Sequence, residues 1–211
     1  MSTAFFSHQI FEAHDTGPGH PERSERLRVI KEVISSSSFD PLIRRDAPKS
    51  TLQQIAIIHD LNYVEKLMDM VPAQGWSRID PDTVMCPATG EAALRAVGAV
   101  IEAVDGVISG SFDNAFCAVR PPGHHAEPGH GMGFCFFNNA AIAARHAQKA
   151  HGLKRVAVVD FDVHHGNGTQ DIFYENENVL FISTHQYPYY PGTGSERERG
   201  KFNNIFNIPL P

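Results

Sequence analysis

The sequence predicts an α/β fold built on a mostly parallel sheet, with a site at the C-terminal ends of the strands. Three observations carry this expectation. In the second half of the chain, short β-prone apolar runs alternate with helical segments, and strand–helix–strand order implies parallel strands joined by right-handed crossovers. Three of those runs lead directly into clusters of His, Asp and Gly at their C-terminal ends, where open parallel sheets bind ligands. Of the twelve histidines in 211 residues, six (His124, His125, His130, His164, His165 and His185) lie among glycines and aspartates within that same third of the chain.

The elements follow in order. Thr3–Phe6 reads as an opening strand, and Pro21-Glu22 as the start of a charged helix running to about Ile34, since Pro and an acid both suit a first helical turn. A second helix is expected over Asn62–Met70. From Glu91 to Ile108, the residues Ala92, Leu94, Val97, Ile101, Val104 and Ile108 recur at helical spacing and predict a core-facing helix. Ala115–Val119 is a short strand and Asn139–His151 an Ala-rich helix ending at Gly152. Arg155–Phe161 is almost continuously apolar, as expected for a strand buried on both faces. A short helix near Thr169–Tyr174 then leads to a last buried strand, Val179–Ser183. One domain is expected over residues 1–211.

Composition excludes several function classes. With 42% hydrophobic and 20% charged residues the chain is neither disordered nor membrane-embedded. Its formal charge of −6 argues against direct nucleic-acid binding, and no apolar run approaches a membrane span. Three cysteines with no C-x-x-C pair point to a reduced, cytoplasmic chain.

The chemistry lies in the clusters. On an extended segment Asp160, Asp162 and His164 project to one side, and a carboxylate and an imidazole two residues apart can close on one divalent ion. Oxygen and nitrogen donors without thiolate suit a catalytic zinc, with iron or cobalt as alternatives. His124-His125 follows a Pro-Pro-Gly turn and precedes Gly129, Gly131 and Gly133, which allow close backbone approach to a substrate. Adjacent histidines beside a metal suit general base and acid roles, so the expected reaction is metal-assisted amide hydrolysis. The sequence holds no Gly-x-Ser-x-Gly elbow that would suggest an acyl-enzyme.

The segments Arg120-Pro-Pro-Gly-His-His-Ala126, Gly131-Met-Gly-Phe-Cys-Phe-Phe-Asn-Asn139 and Val159-Asp-Phe-Asp-Val-His-His-Gly-Asn-Gly-Thr-Gln170 resemble the zinc-dependent histone deacetylase family. Tyr190-Pro-Gly-Thr-Gly194 and His20-Pro-Glu-Arg-Ser-Glu-Arg26 agree with it, in the class II and bacterial branch that includes acetylpolyamine amidohydrolases. The resemblance implies a three-layer sandwich of arginase/deacetylase type. It makes Asp162 and His164 zinc ligands, pairs His124 with Asp160 and His125 with Asn167, and lines an acyl-lysine tunnel with Gly133, Phe134 and Tyr190. It also implies a potassium ion held by Asp160, Ser183 and Thr184 with backbone oxygens of Asp162 and His164, and a substrate-orienting loop around Asp80–Asp82.

The same resemblance places a third zinc-ligating Asp and a transition-state tyrosine downstream of an Asn-Ile-Pro-Leu-Pro segment such as Asn207–Pro211. The chain therefore reads as the N-terminal portion of a longer enzyme. Its expected partners are an acetylated lysine in a protein, or an acetylated polyamine, with oligomerisation open. An arginase-like ureohydrolase would want an Asp-x-His-x-Asp order and two metals, whereas the order here is Asp-x-Asp-x-His. A non-catalytic acyl-lysine or metal-binding module is the alternative of another class.

Overall fold

The computed structural model describes residues 1–211. Its first half runs β1 (Thr3–Ser7), α1 (Ile10–Ala13), α2 (Glu25–Ile34), β2 (Ile43–Asp46), α3 (Leu52–Ile55) and α4 (Leu61–Asp69). A small hairpin of β3 (Ser77–Arg78) and β4 (Val84–Met85) precedes the long helix α5 (Thr89–Ile108). The second half holds β5 (Asn114–Cys117), α6 (Asn139–His151), β6 (Val156–Asp160), α7 (Asn167–Phe173), β7 (Val179–Gln186) and β8 (Ile205–Leu210).

The longer strands are all parallel but form two three-stranded sheets rather than one, in the orders β2-β1-β5 and β6-β7-β8. The apolar opening strand β1 is central, and its side chains from Ala4 to Ser7 are buried. Parallel neighbours need long crossovers, and α5 supplies the body of the one that leads into β5.

That helix is apolar nearly all round, which suits a helix packed on both sides. Ala92, Ala96, Ala99 and Ala103 pack into one core cluster with Phe6 and Phe11. Ala93, Val97 and Ile101 pack into a second with Phe136, Phe137 and Ile142 of the α6 side. The large-residue stripe expected from the sequence is half of this picture. The small residues make the other half, and Ile108 is exposed at the helix end.

Three expectations change. Helix α2 begins at Glu25, not at Pro21-Glu22; Glu22 is instead buried against Arg120. Strand β6 is an edge strand paired only with β7, and its residues alternate between half-buried and exposed, so it is not buried on both faces. Ala157 and Val159 are exposed there, and Phe161 beyond its end is 86% exposed. Strand β7 continues past Ser183 to Gln186, so Thr184 and His185 lie within it.

Candidate active site

β5 leads into the loop that carries His124-His125, and β6 ends at Asp160. Past Asp160 the backbone bends instead of staying extended. Asp160 Oδ1 accepts the Asp162 N–H at 3.1 Å, and Asp162 Oδ1 accepts the His164 N–H at 2.8 Å. Each carboxylate caps the amide two residues on, a local bond that turns the chain. The bend still brings Asp162 and His164 together, with His164 Nδ1 3.4 Å from Asp162 Oδ1.

This spacing suits two ligands of a tetrahedral zinc, whose bond lengths place ligand atoms roughly 3.3 Å apart. Carboxylate and imidazole are also the right donor types. Their number is two, and no third His, Cys, Asp or Glu donor converges with them.

The tandem histidines have different partners. His124 Nδ1 lies 2.9 Å from Asp160 Oδ2, and its Nε2 is 4.0 Å from Asp162 Oδ1. Burial opposes a charge on this ring, but the Asp160 hydrogen bond and the Asp160 and Asp162 charges outweigh it, and the His124 pKa is raised. His125 Nδ1 lies 2.8 Å from Asn167 Oδ1. Here burial dominates, the neighbouring His124 charge adds to it, and the His125 pKa falls to about 4 despite the Asn167 bond.

The His125 tautomer follows from the hydrogen bonds. Asn167 Nδ2 donates to Glu127 Oε1 at 3.0 Å, and a carboxylate only accepts, so the amide orientation is set. Asn167 Oδ1 must then accept from His125 Nδ1–H, which leaves Nε2 as the basic nitrogen.

Both histidines open into a cavity of about 440 Å³ that is also lined by Asp162, His164, Gly133, Phe134, Tyr190 and Asp82. Tyr190 stands edge-on to His125 and His164, at 5.1 and 5.7 Å between centroids, and burial raises its phenol pKa. Gly133 adopts φ +57°, and a Cβ there would lie 2.5 Å from His125 Cδ2, so the ring packs where only glycine leaves room. Phe134 is held by its N–H bond to Thr83 Oγ1 (3.0 Å), and His20 packs edge-on against it at 4.8 Å.

At the acidic loop, Asp80 accepts the Asp82 and Thr83 amides, at 3.0 and 2.5 Å. Asp82 itself faces the cavity, where burial and then the neighbouring Asp80 carboxylate raise its pKa. Of the potassium candidates, Asp160 and Ser183 are opposite each other in register, with Thr184 next along β7. The Ser183 hydroxyl bonds His185 Nδ1 at 2.9 Å.

The density of histidines overstates the site. His165 is buried behind it between Thr193 and Gln170, His185 bridges Ser183 and Gly194, and His130 is exposed. Conversely, Glu127 and the Glu22–Arg120 pair escaped sequence reasoning. Glu127 lies two residues past the tandem histidines, but nothing in the spacing joins it to Asn167.

Parallel strand ends that gather a tandem histidine pair and an Asp–His donor pair, on a mixed α/β frame, place the chain in the arginase/deacetylase fold class. A solved structure, the HDA15 HD domain, superposes with a TM-score of 0.92 at 36% identity, covering 99% of this chain and 62% of that one. The histone deacetylase domain model matches residues 20–211, and the chain belongs to that family.

Similar proteins include a probable deacetylase of Archaeoglobus fulgidus, 39% identical over all of this chain and 60% of its own length. A histone deacetylase-like amidohydrolase of Pseudomonas aeruginosa is 38% identical over 99% of this chain and 60% of its own. The chloroplastic histone deacetylase 14 of Arabidopsis thaliana is 42% identical over 91% and 50%. The chain thus spans about half to three-fifths of these relatives' lengths. No helix is long and apolar enough to cross a membrane.

Proposed function

We propose that the chain carries the acid–base half of a zinc-dependent deacetylase that removes acetyl groups from acetyl-lysine in proteins. The observation that carries this reading is the pairing of His124 with the Asp160 carboxylate and of His125 with the Asn167 amide, beside Asp162 and His164 in one cavity. Asp162 and His164 would hold a zinc ion, which when bound would polarise the amide carbonyl and acidify water. His125, neutral and with a free Nε2, takes the proton from the attacking water. His124, whose imidazolium form the Asp160 carboxylate favours, returns a proton to the leaving amine. Phe134 and Tyr190 give the acyl chain apolar walls, and Gly133 lets it pass close to His125.

The third zinc ligand and an oxyanion-stabilising tyrosine belong, on this reading, to the part of the whole protein that lies beyond residues 1–211. The oxygen donors at Asp160, Ser183, Thr184 and the carbonyls of Asp162 and His164 suit a potassium ion that steadies the strand ends. Cys86, Cys117 and Cys135 are free thiols, which favours a reducing compartment such as the cytoplasm.

The test is turnover of an acetyl-lysine peptide and an acetylated polyamine, side by side, by the zinc-loaded protein and its His125→Ala variant. Hydrolysis of the peptide, abolished in the variant with the fold intact by circular dichroism, is the expected result. Preference for the polyamine would move the substrate to the amidohydrolase alternative. Retained turnover in His125→Ala would remove its role as base. Binding of either substrate without turnover, at full zinc occupancy, would support the binding-module reading instead.

A further inference from the structure

Three metal-ligating side chains do converge in this molecule, away from the cavity. Asp105 lies in the last turn of α5, and His146 and His151 lie on the C-terminal half of α6. Asp105 Oδ1 is 2.6 Å from both His146 Nε2 and His151 Nε2, and the three ligand atoms lie within 4.8 Å of one another. The two rings stand nearly perpendicular, 5.4 Å apart and 82° between planes, so both nitrogens aim at one point from different directions. The side chains are 46%, 15% and 25% exposed, which leaves a path from solvent.

Asp105 also breaks a local rule. Carboxylates are disfavoured at helix C-termini, where the macrodipole is negative, and the last turn of α5 carries no basic residue. The C-terminal end of α6, whose last turn carries Lys149 and ends at His151, meets the same spot, so the carboxylate and the uncompensated end of α5 lie beside it. A cation resolves that conflict.

We propose that Asp105, His146 and His151 form a second metal site, separate from the deacetylase cavity, that takes a divalent transition ion, zinc foremost, and staples α5 to α6. Two imidazoles and a carboxylate are a zinc-type donor set, with the remaining positions open to water. The zinc bond lengths require ligand atoms roughly 3.3 Å apart, so the present hydrogen-bond contacts open by less than 1 Å to admit the ion. Asp105 fixes one helix and the two histidines the other, so occupancy couples the helices whose packing joins the two core clusters.

Zinc and cobalt(II) titrations of chelator-treated protein test this in the Asp162→Ala/His164→Ala background, which removes the candidate catalytic ligands. One equivalent of zinc should still bind, raise the melting temperature and give a cobalt(II) visible spectrum of nitrogen–oxygen type. Adding His146→Ala and His151→Ala should abolish the binding, the spectrum and the zinc-dependent rise in melting temperature, with circular dichroism unchanged. Absence of zinc binding in the Asp162→Ala/His164→Ala background would overturn the proposal. So would equal binding with and without His146 and His151. These readouts do not involve turnover, so they stand or fall separately from the deacetylase reading.

Discussion

The ion pair of Arg120 and Glu22 offers the sharpest test of how the site is held. The guanidinium is bidentate, with Nε 2.5 Å from Glu22 Oε1 and Nη2 2.7 Å from Oε2, and its Nη1 donates to the Phe11 and His14 carbonyls at 2.5 and 3.0 Å. Arg120 and Glu22 are 4% and 2% exposed. One side chain thus ties the N-terminal segment to the loop that presents His124 four residues later. Glu22→Ala strands the buried charge, which costs about 3–5 kcal/mol. At about 2–4 °C per kcal/mol for a domain of this size, the melting temperature should fall by about 6–20 °C. Arg120→Leu should cost at least as much, because it strands Glu22 and also releases two backbone carbonyls. The double variant removes both charges and leaves only the carbonyls, so it should be more stable than Arg120→Leu alone. Urea unfolding followed by circular dichroism measures all three. A Glu22→Ala loss within about 1 kcal/mol of zero, or strict additivity in the double variant, would refute the reasoning, since a buried bidentate pair cannot behave that way.

Two further outcomes are expected. Buried His59 donates from Nδ1 to the Glu127 and Pro128 carbonyls and accepts the Asn138 N–H at Nε2 (2.9 Å), so it must be neutral in the fold. Burial holds both His59 and His14 down at about 4. Below pH 6.5 the unfolded chain therefore binds protons that the folded chain refuses, and stability falls until about pH 4, by up to roughly 3 kcal/mol for each histidine. Urea midpoints from pH 7 to 4 should show this, with a shallower slope in His59→Gln; an unchanged slope would remove His59 from the account. At the site, Glu127→Ala frees the Asn167 amide to turn, and kcat should drop roughly ten- to hundredfold, as when a ligand's orienting partner is lost. Steady-state kinetics check this, and an unchanged kcat would show that Asn167 holds its orientation without Glu127.

How much of this was legible beforehand depended on sequence distance and on edges. Helices α5 and α6 were readable because long periodic segments announce their buried faces, and Gly152 ends α6 with φ +69°, as a left-handed cap should. Strand β2 was missed because it is an edge strand with a charged sequence, Ile43-Arg-Arg-Asp46, largely exposed. Strand β8 contains Pro209, which reads as a strand breaker but is tolerated where a strand pairs on one side only. The apolar run of β6 reads as doubly buried, whereas its second edge and one face are open. At the site, the tandem histidines and the Asp162–His164 pair are local spacings and could be read directly. Glu127 with Asn167, 40 residues apart, and Glu22 with Arg120, 98 apart, meet only through the fold.

The two catalytic candidates are chemically identical residues on consecutive positions, so their own segment cannot make one an acid and the other a base. The difference comes from two other elements: the end of β6 brings a carboxylate to His124, and the start of α7 brings an amide to His125. Helix α7 reaches the histidine loop because Gly168 lies against it; a Cβ there would collide with the Ala126 carbonyl. The Thr169 N–H then donates to the His124 carbonyl at 3.1 Å, fixing helix to loop beside the pair. The glycine after Asn167 is thus a packing requirement of the chemistry. It lets a neutral partner sit close enough to fix the His125 tautomer while adding no charge that would raise its pKa towards that of its neighbour. The division of labour proposed for the two rings would therefore be a property of how α7 docks, more than of the histidines themselves.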